Sequence, residues 1–177
     1  MAKLADVLAA VDSLGFDSAR VKHVARRLSE AEKIPSGGPA RSPDLGEDDV
    51  LRLIMAMATS PKLRLADRSV EIYEALTPAG ARIADDAPGS IPRNAADAIA
   101  VEVEMARRGD PKARRSFLTF VRSWPEIVIE SPDAFARFRQ PGANAALWAH
   151  DGHRTATTIP ISSVADTLDI LFGKVAA

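Results

Sequence analysis

The chain has 177 residues, 46% of them hydrophobic and 27% charged, with a formal net charge of -1. That balance excludes a disordered or collagen-like chain and is large enough for one domain or two small ones, each with a real core. No cysteine is present, which removes disulfides, thiol catalysis and thiolate zinc sites, and the scarcity of aromatics beside abundant alanine predicts that helix dominates.

The first residues, Met1-Ala2-Lys3-Leu4-Ala5-Asp6, have no long apolar run before Asp6 and Asp12. Neither a signal peptide nor a membrane span is expected, and the protein is expected to be cytoplasmic. Leu4, Val7, Leu8, Val11 and Leu14 form an i, i+3, i+4, i+7 stripe that predicts a short amphipathic helix stopped by Gly15. Asp17 or Ser18 caps a second helix running to about Lys33, where Pro35, Gly37, Gly38 and Pro39 forbid continuation. Its buried positions are Val21, Val24, Ala25, Leu28 and Ala31, and its other faces carry Arg20, Lys22, His23, Arg26, Arg27 and Lys33.

Asp44 with Glu47 reads as a capping box for a third helix with Val50, Leu51, Leu53, Ile54 and Met57 in the core. Ser60-Pro61 ends it and opens a fourth over residues 65–76, with Val70 and Tyr73 inward. Residues 78–93, with Pro78, Gly80, Pro88, Gly89 and Pro92, lack periodicity and are expected to be a linker between residues 1–77 and 94–177. Asn94 caps a helix to about Arg108, and Asp110-Pro111 is expected to open another to about Arg122, with Phe117 and Phe120 on one apolar face. Residues 126–130 alternate at period two, Ser131-Pro132-Asp133 is a turn, and residues 134–139 resume an extended pattern, predicting a hairpin. A third strand is expected over residues 155–161. A final helix is expected after it, capped by Ser163 and Asp166, with Val164, Leu168, Ile170, Leu171 and Phe172 packing down. The fold class is therefore α+β, mostly α, with a helix-turn-helix first and a small antiparallel sheet later.

The basic residues of the second helix and its exit are Arg20, Lys22, Arg26, Arg27, Lys33 and Arg41, against Glu30 and Glu32, a local excess of four positive charges. A basic helix beside a glycine-bearing turn suits DNA, whose phosphates supply most of the affinity. The competing reading is a solvated helix face, and residues 1–60 as a whole carry eight basic against nine acidic side chains.

The order of helix, tight turn, basic helix ending in Ile34-Pro35, the Ser36-Gly37-Gly38-Pro39-Ala40-Arg41 turn, and the helix around Asp48-Asp49-Val50-Leu51 resembles the winged helix-turn-helix of MerR-type and excisionase-type DNA-binding proteins. The resemblance covers roughly the first 60 residues. It implies a second helix in the major groove, with Arg20, Lys22 and His23 near base edges, Arg26, Arg27, Lys33 and Arg41 near phosphates, and Ser36, Gly37 and Gly38 in a wing along the backbone. It further implies a transcriptional regulator acting on double-stranded DNA as a homo-oligomer, with residues 94–177 serving for oligomerisation or partner binding. The chain departs from the family in lacking the aromatic pair of the second helix, the long C-terminal dimerisation helix and any cysteine for metal sensing. A helix-turn-helix followed by assembly helices and a small β region is also similar to phage small terminase subunits. A third possibility is a protein-protein adaptor working through the C-terminal sheet.

Other motifs point to less. Gly37-Gly38 lacks the Lys-Ser or Lys-Thr of a phosphate loop. His150-Asp151-Gly152-His153 offers metal-ligating side chains but reads better as a turn. Glu102 and Glu104 lie two apart on a helix and face different ways, and no nucleophile-base pattern is visible, so neither an enzyme nor a cofactor is expected. Phe117, Phe120, Trp124 and Trp148 are expected in the core of the second half.

Overall fold

The structure is a computed structural model that describes residues 1–38, 42–143 and 153–175. Strand β1 (Ala2–Lys3) leads into α1 (Leu4–Asp12), which is joined to α2 (Ser18–Glu30) by a turn in which Gly15 takes φ +87°. Strand β2 (Asp44–Leu45) pairs antiparallel with β1 and is followed by α3 (Glu47–Thr59), a single 3-10 turn at Leu63–Leu65 and α4 (Ala66–Glu74). Then come β3 (Thr77–Pro78), α5 (Ala95–Arg107), a second 3-10 turn (Ala113–Arg115), strands β4 (Phe117–Val121), β5 (Glu126–Glu130), β6 (Phe135–Arg139) and β7 (Ala156–Pro160), and α6 (Ile161–Phe172). Among the described residues the fold is α+β: six helices, a two-stranded ladder and an antiparallel sheet of order β3-β6-β5-β4-β7.

Several helix limits have identifiable causes. α2 ends at Glu30 rather than Lys33, because Glu32 adopts φ +56° and the Lys33 N–H reaches the Leu28 carbonyl at 2.9 Å while the Glu32 N–H reaches Ser29 at 3.1 Å. This is a Schellman closure with glutamate in the left-handed position. α3 is not capped by Asp44, which lies in β2 and pairs with Lys3 at 2.7 Å; instead Asp49 reaches back to the Gly46 N–H at 2.8 Å. α5 begins as expected, with Asn94 accepting the Asp97 N–H at 2.9 Å.

The helix expected from Asp110 does not form. Asp110 caps the Lys112 and Ala113 N–H groups at 2.9 and 2.8 Å, but the helical path closes after one 3-10 turn and residues 117–121 become β4. Aromatic and β-branched residues at alternating positions favour a strand there, and both edges of β4 find partners, in β5 and β7. Phe117 and Phe120 therefore point to opposite faces: Phe120 is buried and Phe117 is 46% exposed. The last helix also differs. It starts at Ile161, directly after Pro160, so Ser163 and Asp166 lie inside it and Ile170 is 78% exposed instead of packing down.

One face of the sheet, built from Leu118, Phe120, Ile127, Ile129, Phe138 and Ile159, packs against helices. These residues join one apolar cluster that also holds Val7, Val24, Leu28, Leu53, Ile54, Val103 and Leu168, from α1, α2, α3, α5 and α6. Two polar links cross the same ground. The Tyr73 hydroxyl of α4 donates to the Val121 carbonyl of β4, and burial pushes that phenol up to about 12. Arg107 of α5, its side chain 2% exposed, donates to Asp169 of α6 at 2.8 Å, Glu47 of α3 at 2.7 Å and the Gly173 carbonyl at 2.9 Å. Burial opposes the Arg107 charge, but its carboxylate partners outweigh this and raise its pKa. At the other end of the sheet Glu126 is buried opposite Arg139, bonded at 2.9 Å, with Arg154 at 3.4 Å.

Candidate nucleic-acid interface

α2 forms because Asp17 accepts the Arg20 N–H at 2.7 Å and because Val21, Val24, Ala25 and Leu28 recur at helical spacing and are all buried. Its basic residues then divide into two groups. Arg20, Arg27 and Lys33 turn into the fold. The Arg20 guanidinium donates to the Ser60 carbonyl at the exit of α3 and lies 3.4 Å from the Ser60 hydroxyl. Arg27 makes a bidentate pair with Asp67, Nε at 3.3 Å and Nη2 at 2.9 Å, and Lys33 Nζ sits 2.5 Å from Glu71. Asp67 and Glu71 are one turn apart on α4, so α2 and α4 meet along a two-rung charge ladder. Burial draws the Asp67 carboxyl upward, but the Arg27 hydrogen bond, the backbone N–H groups of Arg68 and Asp67, and the Arg27 charge together hold it below the usual carboxylate range.

Lys22, His23 and Arg26 stand on the outward, exposed face of α2. Arg26 pairs along the helix with Glu30 at 2.8 Å, whereas the Lys22 and His23 side chains have no ion-pair or hydrogen-bond partner among the described residues. The three form a ridge between two clefts. One, of about 490 Å³, is lined by His23, Arg26, Arg27 and Glu30 with Leu63 and Arg64. The other, of about 580 Å³, lies between α2, α1 and the loop after α2. Arg64, in the first cleft, and its exposed neighbour Lys62 add positive charge beside the ridge. Sequence reasoning missed both, since they lie in the short connection between α3 and α4 rather than in the basic helix; two cations just after Ser60-Pro61 were the available signal.

Ser36, Gly37 and Gly38 lie in an exposed loop, with Gly37 lining the second cleft. Arg41, Trp148 and the His150-Asp151-Gly152 part of the histidine-bearing turn fall outside the described residues. Glu102 accepts from the Ser116 hydroxyl at 3.1 Å and Glu104 pairs with Arg108 at 2.8 Å, so the two carboxylates have separate partners. Among the described residues no three His, Asp or Glu side chains gather as a metal site, and no helix is long and apolar enough to cross a membrane. No protein-family model, curated protein or solved structure matches the chain.

Proposed function

We propose that the chain binds double-stranded DNA with the outward face of α2, and that it is a transcriptional regulator. The observation that carries the reading is the exposed ridge of Lys22, His23 and Arg26 with Arg64 beside it: cations on the outward face of a helix, flanked by clefts, leave room for the walls of a major groove. Because Arg20, Arg27 and Lys33 are engaged with Ser60, Asp67 and Glu71, the phosphate contacts among the described residues narrow to about four: Lys22, Arg26, Lys62 and Arg64. The regulatory role rests on the resemblance of residues 1–60 to MerR-type proteins. Fluorescence anisotropy with mixed duplex fragments at low and moderate salt, followed by sequencing of the bound DNA, tests it. Enrichment of a site with inverted half-sites supports a dimeric regulator, and absence of binding at low salt rejects DNA binding.

Self-association belongs to the same proposal. The outward sheet face exposes Phe117 and Phe135, at 46% and 66%, on either side of Glu130 in the cross-strand row Phe135-Glu130-Phe117. Apolar rings in that position suit burial against a second copy. Sedimentation analysis is expected to show a dimer that Phe117→Ser with Phe135→Ser dissociates. A ring of many subunits would instead favour the packaging-subunit alternative.

A further inference from the structure

The cleft on the α1 side of the ridge has an apolar floor that DNA binding does not use. Its floor is apolar, with Leu4 and Leu8 from α1 and Ile34 and Pro35 from the segment after α2; its wall is the cationic edge of α2, with Lys22, His23 and Arg26. At about 580 Å³ it falls within the size range of small-molecule sites. Among the described residues the charges do not cancel: Arg26 is engaged with Glu30, and the Lys22 ammonium has no partner. An apolar floor beside one uncompensated positive charge is complementary to a ligand with an apolar body and one negative charge.

We infer that this cleft is a binding site for a small amphipathic monoanion, such as a medium-chain or aromatic monocarboxylate. The carboxylate meets Lys22, which gives a charge-assisted hydrogen bond, and the hydrocarbon lies on Leu4, Leu8 and Ile34. Lys22, His23 and Arg26 also form the ridge assigned above to DNA, so an occupied cleft withdraws the free cation and crowds the helix that must enter the groove. Ligand and DNA then exclude each other; this second statement rests on the DNA-binding reading, whereas the site itself does not.

Isothermal titration calorimetry of the full chain with decanoate, below its micellar concentration, tests the site without DNA. Saturable binding of one decanoate per chain is expected. Lys22→Gln weakens it by about tenfold or more, as loss of a charge-assisted contact requires, while leaving binding of the uncharged match, decanol, unchanged. Arg26→Gln weakens decanoate as well, because it frees the Glu30 carboxylate at the cleft. Both side chains are exposed and Arg26→Gln gives up only a single-turn pair with Glu30, so both variants melt close to wild type. No saturable decanoate binding, or equal affinity in wild type and Lys22→Gln, overturns the inference. If decanoate binds as expected, its effect on DNA anisotropy follows: release of DNA supports mutual exclusion, simultaneous binding overturns that step, and a chain that binds decanoate but no DNA leaves the cleft standing while rejecting the DNA reading.

Discussion

Neutralising the ridge and neutralising the basic residues that face α3 and α4 should have opposite consequences. In the variant Lys22→Gln, Arg26→Gln, Arg64→Gln, three of the about four phosphate contacts among the described residues are removed. Each contact contributes about -0.9 to the slope of log affinity against log salt, so a wild-type protomer should show a slope of about -3.6 and the variant about -0.9. Between 50 and 200 mM salt those slopes correspond to losses of about 150-fold and about 3.5-fold. Arg27→Gln instead breaks the pair with Asp67, in which the side chains are 38% and 23% exposed. With that much solvent screening the cost is on the order of 1 kcal/mol of stability, with no change in salt slope. The Arg27 effect also depends on pH. Because the Asp67 carboxyl is held below its ordinary value in the folded chain, its contribution is present above the unfolded carboxylate pKa and is lost as pH falls through the folded one. The wild-type advantage over Arg27→Gln should therefore begin to fall below about pH 4 and vanish at still more acid pH. Anisotropy titrations at four salt concentrations, paired with urea denaturation across pH, read both quantities. Equal salt slopes for wild type and the ridge triple variant, or a flattened slope for Arg27→Gln, would refute the division of α2 into a ridge and a structural flank.

Three further substitutions probe the packing. Arg107→Ala leaves Asp169, 13% exposed, without its guanidinium and should cost about 3 kcal/mol in urea denaturation, of the size expected for removing one partner of a buried pair; less than about 1 kcal/mol would mean that water replaces it freely. Tyr73→Phe removes the hydroxyl that serves the Val121 carbonyl and should cost about 1 kcal/mol. The wild-type chain should also lose stability as pH rises above about 10, because the raised folded pKa means that Tyr73 ionises more readily once unfolded, and the Phe variant should lack that component. Glu32→Gly places the preferred residue at the left-handed closure of α2 and should stabilise by a few tenths of a kcal/mol to about 1 kcal/mol; destabilisation would show that the Glu32 side chain makes a compensating contact.

Elements with a local cause were legible in the chain. The i, i+3, i+4 stripes of α1 and α2, the Asn94 cap of α5 and the period-two alternation of β5 each need only neighbours in sequence, and these elements start where the patterns place them, although α1 ends at Asp12 and α2 at Glu30, short of Leu14 and Ala31. Long-range partners decided the rest. Asp110-Pro111 carries a sound helix start, yet residues 117–121 are a strand because β5 and β7 satisfy both of its edges; that competition cannot be read from residues 110–122 alone. Glu126 has the outward position that alternation assigns, but Arg139 across the ladder makes it a buried partner. The same holds for the candidate site. Helical spacing identified the basic faces of α2, whereas the approach of α4 determined that Arg27 and Lys33 meet Asp67 and Glu71, leaving Lys22, His23 and Arg26 outward. Local sequence thus determined which segments are amphipathic and where positive charge is concentrated. Tertiary structure alone decided which charges are consumed by partners about 40 residues away and which remain at the surface, because an ion pair depends on distance in space and not along the chain.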